Sequence, residues 1–367
     1  MKFSVDRLIL CEAVNVLSKT VSVRSSVPVL EGIKFEIENN ILKLTSYNFE
    51  IGMTKEIKIN SCEKCGSIVI NAKLLSEMLR RFSGNIVFFD CDERYMCKIS
   101  SGSAIYEIMG MTSEDFPELP FFDDGKGVEI DSEIFKNIVK QSIFSAAVGE
   151  VSKPVLTGEF FEFKENEISV TAVDGFRLAI RKEKANNDIP VSFIVPAKTI
   201  NEIVKLITEK EKIIKMFVGK RFMSVSIDGY NMVSRLMEGE YINFSHYISE
   251  NYKTKIKINT REIIQIIERI SLLIDEQINT PVRCKITQDS LEFSCKTTLG
   301  SAFDTYACER IDGEKMEIGF KGRYLTDALK ATESDQVVLN LNGVNKPIII
   351  TPVEGDSFLY MIMPMRL

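Results

Sequence analysis

Cys62 and Cys65 stand as a C-x-x-C pair, a spacing that lets two thiols close a disulfide or share a metal ion. A structural zinc site needs two more Cys or His ligands, and neither a second C-x-x-C nor a neighbouring His occurs. The pair therefore reads as a loop thiol pair without function, with a thiol redox enzyme as the rival. The other six cysteines, at 11, 91, 97, 284, 295 and 308, lie in apolar runs, where a free thiol behaves as a small hydrophobe. The single histidine, His246, lies among Tyr241, Phe244 and Tyr247 and reads as partly packed. One histidine argues against Ser-His or Cys-His nucleophilic catalysis and against His-rich metal sites. Neither GxxxxGKS nor GxGxxG is present to cradle a nucleotide phosphate. No catalytic residue, metal ligand or cofactor is expected.

What recurs instead is positive charge on helices. The stretch IVINAKLLSEMLRRF (68–82) returns as IVPAKTINEIVKLI (194–207) and IGFKGRYLTDALKA (318–331). Ala72, Ala197 and Gly322 then stand 125 residues apart. PVL at Pro28 and Pro154, with the weaker PVR at Pro281, keeps nearly the same period, as do the turn glycines Gly102, Gly229 and Gly355. A repeat of this length means three copies of one unit. The expected domains are 1–123, 124–250 and 251–367, with linkers near 117–127 and 240–255.

Each unit opens with a short strand and a helix, at 6–19, 131–142 and 260–274, where apolar residues recur at helical spacing. Asp6 is a candidate N-cap. KFEIENNILKLTS and EFFEFKENEISVTA alternate as hairpins turning at 39–40 and 164–166, and Asp228-Gly229 is a tight-turn dipeptide. One unit is thus two helices and about eight short strands, an α+β fold with helices packed on antiparallel sheets. The helices carry Arg7 and Lys19, Lys73, Arg80 and Arg81, Lys136 and Lys140, Lys198 and Lys205, Arg261 and Arg269, Arg323 and Lys330. Any one of these is an ordinary solvated face; recurrence at matching places points to one phosphate-binding surface blind to base sequence. The chain as a whole carries −6, so the basic surface must be local.

With 45% apolar residues in 367, the chain can build several cores. No apolar run approaches the ~20 residues of a membrane span, and MKFSVDRLIL lacks a signal-peptide pattern. A soluble, cytoplasmic protein is expected. Six helices side by side at ~10 Å enclose a hole of only roughly 9 Å. Twelve enclose about 28 Å, enough for duplex DNA with water. A head-to-tail homodimer follows as the natural assembly.

The sequence resembles the bacterial DNA polymerase III beta subunit family, the DNA sliding clamps, over its whole length. The residues that carry the resemblance are the start MKFSVDR, Arg24 with Pro28-Val29-Leu30, Asp174-Gly175-Phe176-Arg177-Leu178, and the terminal Met363-Pro364-Met365-Arg366-Leu367. It implies three similar domains of the DNA-clamp fold forming half of a closed ring. That ring encircles duplex DNA without sequence preference and acts as a processivity factor in DNA replication. It tethers the replicative polymerase, the clamp loader and repair proteins through short peptide motifs, without catalysis of its own. Carried over by position, the partner-peptide pocket comprises Leu156, Val173, Gly175, Phe176, Arg177, Leu178, Ile242, His246, Tyr247, Tyr324, Pro347, Met361, Met363, Pro364, Met365 and Arg366. Arg177 and Arg366 would hold the peptide's polar groups or a carboxylate, and the methionines suit a surface that accepts several partners. Ile242, Val173, Phe176, His246 and Tyr247 depart from the family's usual residues, which bears on peptide preference. The DNA-facing set is Arg7, Arg24, Lys73, Arg80, Arg81, Lys136, Lys140, Lys153, Lys198, Lys205, Arg269, Arg323 and Lys330. The dimer interface takes Tyr106, Leu272 and Leu273. Two rivals remain: a peptide-binding scaffold with idle basic faces, and a redox enzyme that a double Cys62→Ser, Cys65→Ser change would silence.

Overall fold

The structure is a computed structural model that describes residues 1–22, 24–122, 125–185, 190–244, 248–249, 251–275, 280–308 and 313–367. The first repeat runs β1 (Lys2–Asp6), α1 (Arg7–Leu17), β2 (Gly32–Glu38), β3 (Ile41–Tyr47), β4 (Ile51–Lys58), β5 (Ser61–Lys64), β6 (Gly66–Asn71), α2 (Ala72–Arg81), β7 (Ile86–Cys91), β8 (Met96–Ser101) and β9 (Ala104–Met109). The second runs β10 (Lys126–Asp131), α3 (Ser132–Lys140), β11 (Gly158–Phe163), β12 (Glu167–Val173), β13 (Arg177–Lys184), β14 (Val191–Pro196), α4 (Ala197–Leu206), β15 (Ile213–Val218), β16 (Phe222–Ile227) and β17 (Tyr230–Arg235). The third runs β18 (Thr254–Asn259), α5 (Thr260–Ser271), β19 (Val282–Ile286), β20 (Ser290–Thr297), β21 (Gly300–Ala307), β22 (Met316–Phe320), α6 (Gly322–Thr332), β23 (Gln336–Leu341), β24 (Ile348–Pro352) and β25 (Phe358–Ile362). The fold is α+β, two helices on antiparallel sheets per repeat, as the periodicity predicts.

Local chemistry explains where the helices begin. Asp6 Oδ1 accepts from the Leu8 and Ile9 amides at 2.8 and 3.0 Å, Asn71 from Leu74 at 3.0 Å, and Asn259 from Glu262 at 3.0 Å. Each side chain satisfies amides that the first helical turn leaves without partners. The Asp228-Gly229 corner has φ of 48° and 71°, the left-handed pair that a two-residue hairpin turn demands. Strands such as Ile86–Cys91 alternate exposed and buried residues, so one face of the sheet meets the core.

The chain forms two compact units, residues 1–132 with 202–236, and residues 133–201 with 237–367. The first holds a five-stranded sheet, β5-β1-β7-β8-β9, and an eight-stranded sheet, β10-β15-β16-β17-β4-β3-β2-β6. The second holds an eight-stranded sheet, β14-β11-β12-β13-β25-β24-β23-β18, and a four-stranded sheet, β21-β20-β19-β22. The units do not part at the repeat boundaries, because strands of neighbouring repeats hydrogen-bond edge to edge. In the first unit β17 pairs with β4, placing Asn231 opposite Thr54 and Met232 opposite Met53. In the second β25 pairs with β13, placing Leu359 opposite Ile180 and Tyr360 opposite Ala179.

These two seams have one register. Strand pairing within each repeat makes Tyr106, Met232 and Tyr360 equivalent. By the same rule Thr54, Ile180 and Phe303 are equivalent. Among the described residues, one strand of each type has a free edge: β9 in the first unit and β21 in the second.

Candidate functional site: an apolar cluster and basic helix faces

The PVL stretch forms a single 3-10 turn, Pro154–Thr157, which buries Leu156; the Leu156 carbonyl accepts the Ala147 amide at 2.8 Å. Val173 and Leu178 face each other across the β12–β13 hairpin, and β25 lays Met361 opposite Leu178. These residues form one apolar cluster with Ala147, Ile180 and Ile349, against which Ile242 and Met363 pack. So Leu156, Val173, Leu178, Ile242, Met361 and Met363, far apart in sequence, are brought together inside one unit. The cluster is distinct from the core of the third repeat built on Ile263, Ile267, Phe293 and Tyr360.

The turn 174–177 borders this cluster. Asp174 Oδ1 accepts the Phe176 and Arg177 amides, both at 2.9 Å, and Gly175 takes φ +93°. A side chain at that φ is strained, which accounts for glycine. The turn pushes Phe176 outward, 63% exposed, while its carbonyl accepts the Met363 amide at 2.8 Å. Arg177 is not an open anion hook. Its Nε donates to Asp174 at 3.0 Å and its Nη1 to Asp327 at 2.6 Å. Its guanidinium stacks 4.5 Å from the Tyr324 ring and 5.5 Å from the Phe144 ring. With its single charge met by two carboxylates, Arg177 fastens the second-repeat turn to α6 and stacks on Tyr324. Arg366 is exposed and has no ion-pair partner among the described residues, which leaves it open to a carboxylate.

The remaining positions are more dispersed. Met365 hydrogen-bonds the Gly319 carbonyl at 2.7 Å, Pro347 is buried just before β24, and Pro364 is half-buried. His246 and Tyr247 lie outside the described residues. Sequence reasoning missed Asp174 and Asp327 as anchors. It also missed Tyr241, which packs on the cluster and stacks 5.3 Å from Phe160. The Asp-Gly pair was the available signal for the turn; nothing local marked Asp327.

Among the described residues, six helices carry twelve basic and seven acidic side chains against a chain total of −6, so positive charge is concentrated on them. Several cations are already engaged. Arg7 is half-buried and donates to the Gly84 carbonyl at 2.8 Å and the Leu79 carbonyl at 3.3 Å, closing the C-terminal end of α2. Arg81 pairs with Glu77, Arg80 donates to Asn15 at 2.9 Å, and Lys136 and Lys205 pair with Glu133 and Glu202 on their own helices. Lys140 binds Glu333, Lys330 binds Glu268, Arg269 binds Asp304, and Arg323 lies 3.8 Å from Asp327. Exposed pairs of this kind hold their cations by only ~0–1 kcal/mol, so a phosphate can displace the carboxylate. Lys73, Lys198, Arg24 and Lys153 are exposed with no ion-pair partner among the described residues.

Tyr106 lies on the free β9 edge with its ring 5.6 Å from Phe82; Leu272 is 83% exposed just past α5, and Leu273 packs on the third-repeat core. No group of His, Cys, Asp and Glu that could hold a metal, and no helix long and apolar enough to cross a membrane, occurs among the described residues.

Three family models match the chain: the DNA polymerase III beta subunit N-terminal domain over residues 1–120, its central domain over 129–243 and its C-terminal domain over 246–366. The beta sliding clamp of Bacillus subtilis (strain 168) is 28% identical over 377 residues, covering all of both chains. That of Halalkalibacterium halodurans is 28% identical over 379. Among solved structures, a putative DNA polymerase III beta subunit from Eubacterium rectale aligns at TM-score 0.93 and 30% identity, covering 100% of this chain and 99% of that one. The Bacillus subtilis sliding clamp aligns at TM-score 0.94 and 28% identity, with the same coverage.

Proposed function

Because the chain belongs to the bacterial DNA polymerase III beta subunit family, the sliding clamps, we propose that two copies close head to tail into a ring around duplex DNA. Membership makes it a non-catalytic processivity factor of DNA replication. The ring, its domains at 1–123, 124–250 and 251–367, its cytoplasmic setting and the residues that serve it are the finer reading.

One observation carries the assembly. Both internal seams join a last strand to a third hairpin strand in one register, and the two free edges, β9 and β21, are one strand of each kind. Repeating that register sets Ile105 of the partner subunit opposite Phe303, and Tyr106 of the partner subunit opposite Ala302. Ile105 and Phe303 are 58% and 64% exposed in the single chain, large apolar surface that closure would cover. Phe144 packs edge-on to Tyr360 at 5.4 Å in the second seam. Leu272 stands as far past the start of α5 as Phe144 does past α3, so it packs on Tyr106 of the partner subunit. Such a contact is heterologous, and rotation closes it into a ring.

The basic helix faces then supply weak phosphate contacts that let the ring slide, while closure supplies retention. The apolar cluster around Leu156, Leu178 and Met361 accepts the short peptides of the replicative polymerase, clamp loader and repair proteins, with Phe176 and Arg366 at its exposed margin. The test is retention: at matched salt the protein is lost slowly from circular DNA and quickly from the same DNA made linear. Equal loss from both would reject encirclement.

A further inference from the structure

Of the eight cysteines, Cys65 is the exposed one; Cys91, Cys97, Cys284 and Cys295 are buried. The Cys62 and Cys65 sulfurs lie 3.6 Å apart, van der Waals contact for two sulfurs, at the corner from β5 to β6. Strand β5 is the outermost strand of its sheet, and its pairing with β1 shifts register between Lys2 and Phe3. Such an edge is not held by a second neighbour and can give by the small movement that an S–S bond requires. Flanking charges are occupied: Glu63 pairs with Lys2 at 2.7 Å and Lys64 with Glu93 at 3.4 Å. Neither crowds the thiols with an unmatched carboxylate.

We propose that Cys62 and Cys65 form a reversible dithiol–disulfide site that takes electrons from, and returns them to, small-molecule thiols and disulfides. The exposed Cys65 thiolate attacks one sulfur of a disulfide RSSR. A Cys65–SR bond forms, the S–S bond of RSSR breaks, and one RS⁻ leaves. Cys62 loses its proton to solvent and its thiolate attacks Cys65 Sγ, forming the Cys62–Cys65 bond and releasing a second RS⁻. The two thiolates take up protons as RSH, so the protein dithiol is oxidised and RSSR is reduced to 2 RSH. The order follows from access and from proton retention: burial, and after it the hydrogen bond to Cys65, push the Cys62 thiol up, so Cys62 resolves rather than attacks. The site is independent of the peptide pocket and of DNA, and it needs no metal.

Native full-length protein is equilibrated across a series of reduced and oxidised glutathione, quenched in acid, alkylated and mapped by peptide mass. The expected result is an internal disulfide at 62–65, reversed by excess reduced glutathione, with Cys284 and Cys295 remaining alkylatable only after denaturation. Cys62→Ser should trap a glutathione adduct on Cys65, formed at least about tenfold faster than the adduct on Cys62 in Cys65→Ser. The proposal is overturned if the native protein gives adducts without an internal bond, or no reaction beyond that of the buried cysteines. Equal trapping rates in the two variants would overturn the assignment of Cys65 as the attacking sulfur.

Discussion

Arg177 in the second repeat and Asp327 in the third are joined by a 2.6 Å hydrogen bond, and the same guanidinium holds Asp174 at 3.0 Å. Arg177 thereby spans the join between a hairpin turn that borders the apolar cluster and α6, whose Leu325 and Leu329 belong to the third-repeat core. Truncating Arg177→Ala leaves two carboxylates, at 13% and 30% side-chain exposure, facing each other. The expected loss is about 2 kcal/mol of stability. Asp327→Asn keeps the shape and removes one charge, so it should weaken binding of a partner peptide more than it lowers Tm. Titration of a fluorescent peptide alongside thermal unfolding checks both. Unchanged affinity in Asp327→Asn would show that the anchor does not shape the pocket.

Glu159 is fully buried; its Oε1 accepts from Ser142 at 2.7 Å while Oε2 has no hydrogen-bond partner among the described residues. Burial pushes its carboxyl up from 4.5 to about 8, the Ser142 hydrogen bond opposing only in part. An acid whose folded pKa is raised favours the folded state in its protonated form. Its contribution is intact below the unfolded value and is lost as pH rises through the interval from 4.5 to about 8. By neutral pH the loss is about 3 kcal/mol. Glu159→Gln should therefore be more stable than the parent at pH 8, by roughly 4 kcal/mol, and converge with it at acid pH. Denaturant melts at several pH values read the difference; parallel curves would contradict it.

Closure of β9 on β21 predicts that Ile105→Asp and Phe303→Asp each shift the protein from two chains toward one. Each removes one apolar anchor per seam, ~1.5–3 kcal/mol, and buries a charge in its place. Sedimentation of the parent should give the mass of two chains. A monomeric parent, or dimeric variants at nanomolar concentration, would exclude this seam.

The helix cations should separate by salt dependence. Lys73→Ala, which touches no partner among the described residues, should leave Tm unchanged and lower the slope of log K against log salt by about 0.9 per subunit. Arg7→Ala removes two hydrogen bonds to the Leu79 and Gly84 carbonyls, so it should cost about 1 kcal/mol of stability. Its effect on the salt slope should be smaller than that of Lys73→Ala.

Much was legible in the chain itself. Period, helix starts and hairpin corners are local matters: Asp6 caps because its carboxylate reaches the amides of Leu8 and Ile9, and Asp228-Gly229 turns because both residues accept positive φ. The alternation of apolar residues settled which face of strands such as Ile86–Cys91 is buried, and the threefold copy followed from counting. Other properties depend on partners distant along the chain. That Arg177 is neutralised by Asp327 and that Arg7 closes α2 are consequences of packing. So is the shared register of the two seams, since edge-to-edge hydrogen bonding is decided by where whole strands lie and carries no mark in the residues on either side.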